Sequence, residues 1–218
     1  ALTFTSNEAT TDFIAGDITA TNCALSSLTG STSTVYTATC TPADGATASV
    51  AVAAETFNDA TGNDNSVSNT YSWTYDGTGP TMTITSDTVA NGATTATAAV
   101  VLIYTSNEVT TDFVIADITE TDCSTDSFTT AGNGLVYGST CTVSADSTPT
   151  VSVAAGAFSD ATGNTNTVSN TYTWTQDDTG PTMTITSSSV ASGATTGTEA
   201  VALTFTSNEA TTDFIAGD

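Results

Sequence analysis

The sequence predicts an all-β protein: a filament-like array of tandem β-sandwich domains joined by short linkers. Three observations carry that expectation. Apolar and polar residues alternate at a period of two, the chain repeats itself about every 100 residues, and Gly, Asn and Asp break it into short segments.

Taken in order, the segments read as strands with one inward face. In ASVAVAA, Val50 and Val52 alternate with Ser49 and Ala51; in TYSWTYD, Tyr71, Trp73 and Tyr75 share a face; in PTMTITS, Met82 and Ile84 oppose Thr81, Thr83 and Thr85. Side chains on a pleated strand point to opposite faces in turn, and Thr suits the solvent face. No stretch combines helical periodicity with helix caps. About seven short strands per 100 residues, separated by turn residues, predict an immunoglobulin-like sandwich.

The repeat is visible letter by letter. FTSNEATTDF (Phe4–Phe13) returns as YTSNEVTTDF (Tyr104–Phe113), and TGPTMTITS (Thr78–Ser86) returns at Thr179–Ser187. ALTFTSNEATTDFIAGD occurs at Ala1–Asp17 and again, unchanged, at Ala202–Asp218, whereas the middle copy agrees at 10 of 17 positions. The larger unit is therefore a pair of domains. The Gly-Pro steps at DGTGPT (Asp76–Thr81) and DDTGPT (Asp177–Thr182) set the boundaries: residues 1–79 form a domain without its first strand, 80–179 a complete domain, and 180–218 the first strands of the next repeat.

Composition removes whole classes of function. The chain has 23 Asp and Glu and no Lys, Arg or His. No Ser-His-Asp or Cys-His triad, Lys Schiff base or P-loop lysine can be built, so no enzyme is expected. The paired carboxylates of a glycosidase need one deep cleft, but here every acid recurs with its loop. Nucleic acid is excluded because no cation can neutralise phosphate. Thr (54) and Ser (24) exceed a third of the residues, yet an apolar fraction of 38% in regular alternation argues for folding over disorder. The longest apolar run, Ala98–Tyr104, is too short to span a bilayer.

The cysteines fall as Cys23 with Cys40 and Cys123 with Cys141, each pair flanking a hairpin within one repeat. Three pairings exist in principle, and the repeat selects the local one, with Cys23 opposite Cys40, Leu28 opposite Val35 and Phe128 opposite Val136. Each closed loop should stabilise its domain by about 3 kcal/mol. Two Cys without His make a poor zinc site. Disulfides place the protein in an oxidising, extracellular or cell-surface setting.

FTSNE, AFSDATGN and DDTGPTMTITS resemble bacterial Ig-like repeats, which stand in tandem in large surface adhesins and stalks. The resemblance spans essentially the whole chain and implies a spacer or adhesive module. The chain departs from the usual pattern in having no Lys or Arg and in its hairpin disulfides. The topology it implies puts the loop after the second strand, the loop before the last strand and the incoming linker at one end. That gathers Glu108, Asp160 and Asn164 near Asp76, and Asp177, Asp178, Glu209 and Asp213 at the next junction; Glu8, Asp59 and Asn63 are the first-domain loop counterparts. Several carboxylates with an amide oxygen suit Ca²⁺, which takes six to eight oxygen ligands. The alternative is that DATGN is a plain turn, with Asp and Asn bonding their own backbone.

Trp73 and Trp174 each follow a Tyr on the same strand face, which marks core packing over a sugar platform. The Thr-rich outer faces either carry O-linked glycans or are ordinary solvent-facing strand surface. These readings converge on a structural segment of an extracellular filament, pilus-like fibre or adhesin stalk. The alternative is a glycan- or surface-binding module, with the differing turns Gly30–Thr34 and Ala131–Gly134 as its candidate pocket. The partner is the protein itself. Continuation runs along one long polypeptide, or by donation of Pro181–Ser187 to the first domain of another chain; the duplicated ends favour the former, because Ala202–Asp218 competes with its own copy.

Overall fold

The computed structural model describes residues 1–144 and 146–217; Asp218, the last letter of the closing repeat, lies outside them. The first sandwich contains β1 (Leu2–Thr5), β2 (Ile18–Thr21), β3 (Cys23–Thr32), β4 (Val35–Pro42), β5 (Thr47–Val52) and β6 (Tyr71–Thr74). They form two antiparallel sheets, ordered β1-β4-β3 and β2-β5-β6. Alternation drives the layering: Ala48, Val50 and Val52 of β5 are buried, and Val50 and Val52 share the core with Phe13 and with Ile18, which pairs with Val52 in the same sheet.

The second sandwich contains β7 (Met82–Thr85), β8 (Thr94–Thr95), β9 (Ala99–Ser106), β10 (Ile118–Thr121), β11 (Ser124–Thr130), β12 (Val136–Thr142), β13 (Thr150–Val153), β14 (Tyr172–Thr173) and β15 (Thr175–Gln176). Its sheets are β11-β12-β9-β7 and β10-β13-β14. The entering segment serves both sheets: β7 runs antiparallel to β9, then β8 pairs parallel with β15. The core gathers Met82, Ile84, Val100, Leu102, Tyr104, Phe113, Val151, Val153, Tyr172 and Trp174. Trp174 is 1% exposed, a core residue.

The closing segment forms one antiparallel pair, β16 (Met183–Thr186) with β17 (Thr204–Ser207). Its Met183, Ile185, Leu203, Phe205 and Phe214 are exposed.

Both disulfides form within their hairpins, Cys23–Cys40 and Cys123–Cys141, with Cα–Cα distances of 5.6 and 5.8 Å. The strand register differs from the expected one. Leu25, not Cys23, stands opposite Cys40, and Cys23 stands opposite Pro42; Thr32, not Leu28, opposes Val35. In the second hairpin Thr125 opposes Cys141 and Thr130 opposes Tyr137, so Phe128 does not meet Val136. The cause is where each chain turns. Thr32 pairs with Val35 across Ser33–Thr34 and Thr130 with Tyr137, so both hairpins fold back further along the chain than expected. Irregularities between Ser26 and Thr29, Gly30 and Thr32, and Asp126 and Thr129 then return part of the shift. Ser27 (φ 57°) and Ser127 (φ 54°) sit there in the left-handed region, which inserts residues and shifts the pairing.

Candidate functional site

The junction between the sandwiches is the most elaborated polar site. Its linker, Asp76–Gly79, is pinned from both sides. From the first sandwich, Asp44 accepts the Gly77 N–H at 2.6 Å and the Thr78 hydroxyl. From the second, the Asn164 amide donates to the Asp76 carbonyl at 3.1 Å and Thr162 Oγ1 to the Asp76 carboxylate at 3.4 Å. The Thr167 N–H reaches the Pro80 carbonyl at 3.0 Å. Gly79 is required by closeness: a Cβ there would lie 1.9 Å from the Thr165 carbonyl oxygen.

At this junction the carboxylate oxygens of Asp76, Glu108 and Asp160 come within 4.8 Å of one another. Each arrives on a different piece of chain: the linker, the loop after β9, and the DATGN loop. Asp160 is also the hub of its own turn. It accepts the backbone N–H groups of Thr162 and Asn164 at 2.8 and 2.9 Å, and their side chains at 2.9 Å each. Partial desolvation opposes ionisation, but the donors from Asn164 and Thr162 outweigh it and hold the carboxyl at about 2, below its ordinary 3.8. Asn164 turns its amide nitrogen to Asp160 and Asp76, so its part in this arrangement is as donor. The three carboxylates are the groups that could hold a cation.

The other predicted residues are placed differently. Asp59 repeats the turn geometry, with Asn63 and then Thr61 donating to it and lowering its pKa. Glu8, Asp59 and Asn63 line an open groove with Asp64, but among the described residues no three carboxylates there come as close together as Asp76, Glu108 and Asp160 do. Asp177, Asp178, Glu209 and Asp213 do not gather into a comparable group among the described residues. Asp178 instead lies against Asp146: its N–H donates to Asp146 at 2.9 Å, and the Asp146 carboxylate beside it pushes the Asp178 pKa up.

Two pairs of acids that the sequence reading passed over do structural work. Asp44 and Asp146 occupy matching loops and hold the matching linkers, since Thr179 donates to Asp146 as Thr78 does to Asp44. Asp12 and Asp112, in the TTDF segments, accept the Asn58 and Ser159 N–H groups through both oxygens, at 3.0–3.2 Å and 3.1 Å. The signal available was their recurrence at equivalent places in both repeats.

The first sandwich also carries a groove of about 730 Å³ along β1, lined by Leu2, Phe4, Val50, Val52, Asn69 and Tyr71 among others. This cleft is not at Gly30–Thr34 or Ala131–Gly134, where the binding-module reading located its pocket.

The model of the family described as "Bacterial Ig-like domain" matches residues 1–75 and again 76–175. A solved structure of InvD from Yersinia pseudotuberculosis is similar at 16% identity with a TM-score of 0.34, over 78% of this chain and 51% of that one. The present chain thus spans about half the length of that protein. No curated protein matches the sequence. The chain belongs to the bacterial Ig-like domain family, which in general is non-enzymatic, and that membership suggests a surface or adhesin-type module.

Proposed function

We propose that this bacterial Ig-like chain is a spacer segment of an extracellular filament, pilus-like fibre or adhesin stalk. In this role its sandwiches hold distance and transmit load. The observation that carries the reading is the linker: a short joint hydrogen-bonded to Asp44 on one side and to Thr162 and Asn164 on the other transmits orientation between domains. A flexible Gly/Ser tether would not. The uniformly negative surface supports the same reading, because fibres without cations repel one another and stay dispersed. O-linked glycans on the outward threonines would add to that separation.

Calcium belongs to the proposal as a stiffener of the joint. Asp76, Glu108 and Asp160 would supply three carboxylates of the six to eight oxygens Ca²⁺ takes, with water completing the shell. Bound cation would also relieve their mutual repulsion.

Small-angle X-ray scattering on the full chain tests the spacer reading. It should give one narrow interdomain distance, broadened in Gly79→Ala, where a Cβ meets the Thr165 carbonyl, and unchanged in Gly180→Ala, which has open space. A broad distribution in the unmodified chain would refute the stiff joint. Calcium titration by calorimetry, with Asp76→Asn as control, tests the cation separately.

A further inference from the structure

We propose that Asn133–Gly134, at the tip of the second hairpin, is a self-modification site: its asparagine deamidates through a cyclic imide to aspartate and isoaspartate. The inference goes beyond the spacer reading and does not depend on it.

Asn-Gly is the dipeptide in which this chemistry is least hindered, because glycine has no Cβ to keep its amide nitrogen from the preceding side chain. The chain contains the dipeptide twice, at Asn91–Gly92 and Asn133–Gly134, and both asparagines are exposed. Sequence and exposure therefore do not separate the two sites. Hydrogen bonding does.

At the hairpin tip, Asn133 Oδ1 accepts the Leu135 N–H at 3.0 Å and the Val136 N–H at 3.2 Å. Those bonds fold the carboxamide forward over its own chain, toward the Gly134 nitrogen. The Gly134 N–H itself has no partner among the described residues. When that nitrogen attacks Cγ, negative charge develops on Oδ1, where two backbone donors are already in place as in an oxyanion hole. Glycine is also fixed at this position: its φ is 68°, and a Cβ would lie 2.7 Å from the Thr110 carbonyl oxygen.

Asn91–Gly92 is built the other way. The Gly92 N–H donates to the Thr173 carbonyl at 2.7 Å, and Asn91 Oδ1 accepts the Thr173 N–H at 2.9 Å. Nucleophile and electrophile are both tied across to β14, and both bonds must break before the two can meet.

The reaction balances with water as its only co-reactant. The Gly134 nitrogen bonds to Asn133 Cγ and gives up its proton, and the side-chain nitrogen leaves as ammonia. Water then opens the imide. Addition at Cγ yields aspartate; addition at the Asn133 main-chain carbonyl yields isoaspartate, with the chain now running through the former side chain. Either product adds a negative charge at the tip. Isoaspartate also lengthens the main chain, which displaces the Gly134 carbonyl from the Thr110 N–H, 2.9 Å away, and so frees the loop that carries Glu108. The matching tip of the first sandwich, GSTST (Gly30–Thr34), has no Asn, so the mark falls on one domain of the pair.

Incubating the full chain in warm neutral buffer and mapping its chymotryptic peptides by mass spectrometry tests the proposal. Asn133 should convert about 30-fold faster than Asn91, the factor expected when two hydrogen bonds must break first. Synthetic peptides spanning residues 129–137 and 87–95 supply unfolded references. The folded chain should convert Asn133 at least as fast as its peptide, and Asn91 more slowly than its own. Equal or reversed rates at the two sites of the folded chain, or an Asn133 slower than its peptide, would overturn the proposal. In isoaspartate-bearing chain isolated by anion exchange, the Thr110 amide should exchange its hydrogen faster than before; unchanged protection would overturn the coupling to the Glu108 loop.

Discussion

Tyr172 of the second sandwich is 3% exposed, while its counterpart Tyr71 in the first is 57% exposed; Trp174 is buried and Trp73 only half so. The aromatic residues are the same, although some neighbours differ: Ser72 and Tyr75 stand where the second sandwich has Thr173 and Gln176. The structural difference is the entering segment, β7 and β8. It lays Met82 and Ile84 over the core, and its backbone engages the Asn170 amide and its exit the Tyr172 hydroxyl. Each buried aliphatic side chain of this size is worth roughly 1.5–3 kcal/mol. In the second sandwich the entering segment, β7 and then β8, thus closes a core that is open in the first.

The comparison can be broken most severely at Ile84. Ile84→Asp puts a charge on the floor of the closed core and should cost at least about 4 kcal/mol. Calorimetry should then show the second sandwich melting at or below the first. Removing one disulfide at a time comes next. Cys23→Ala with Cys40→Ala, or the pair Cys123→Ala with Cys141→Ala, opens loops of sequence separation 17 or 18 and should cost about 3 kcal/mol each. Unfolding at ambient temperature is expected for the first sandwich, which starts with the smaller core, and a lowered Tm for the second.

A finer contrast lies in the clamp. Asn170→Ala removes both bonds to Ile84 and should cost about 1–2 kcal/mol, while Asn69→Ala should leave the melting of the first sandwich unchanged. Gln176, 2% exposed, has both amide atoms without a partner among the described residues, where the first sandwich has the exposed Tyr75. Gln176→Met should therefore stabilise the second sandwich by about 1 kcal/mol; a loss would indicate that the amide is bonded.

The smallest effect is the pH dependence of the DATGN turns. Asp160 and Asp59 both have folded pKa values below the ordinary 3.8, Asp160 at about 2. Their contribution is present above about pH 4 and is lost as pH falls toward 2. Acid titration followed by circular dichroism should show a decline in that window, and Asp160→Asn should shrink it.

Much of this was legible in the letters. The alternation of Met82 and Ile84 with threonines, the pairing of each Cys within its own repeat, and the strand-rich repeat itself all follow from side-chain periodicity. The hairpin registers were not legible, because the small polar residues at each tip allow more than one turning point, and because Ser27 and Ser127 adopt left-handed backbone that nothing in a Ser residue announces. Nor were the roles of Asp44 and Asp112. Each acts on backbone N–H groups 33 and 47 residues away, Gly77 and Ser159, and every backbone carries the same donors. At the junction, the motifs indicated which loops would meet, but the direction of the Asn164 amide depends on the neighbours it finds there.

Amide hydrogen exchange on the dilute full chain tests the central contrast most directly. Residues 47–52 and 71–74 of the first sandwich should exchange far faster than 150–153 and 172–173 of the second. Equal protection in the two sandwiches would contradict the account, since the entering segment would then contribute nothing to closing the core.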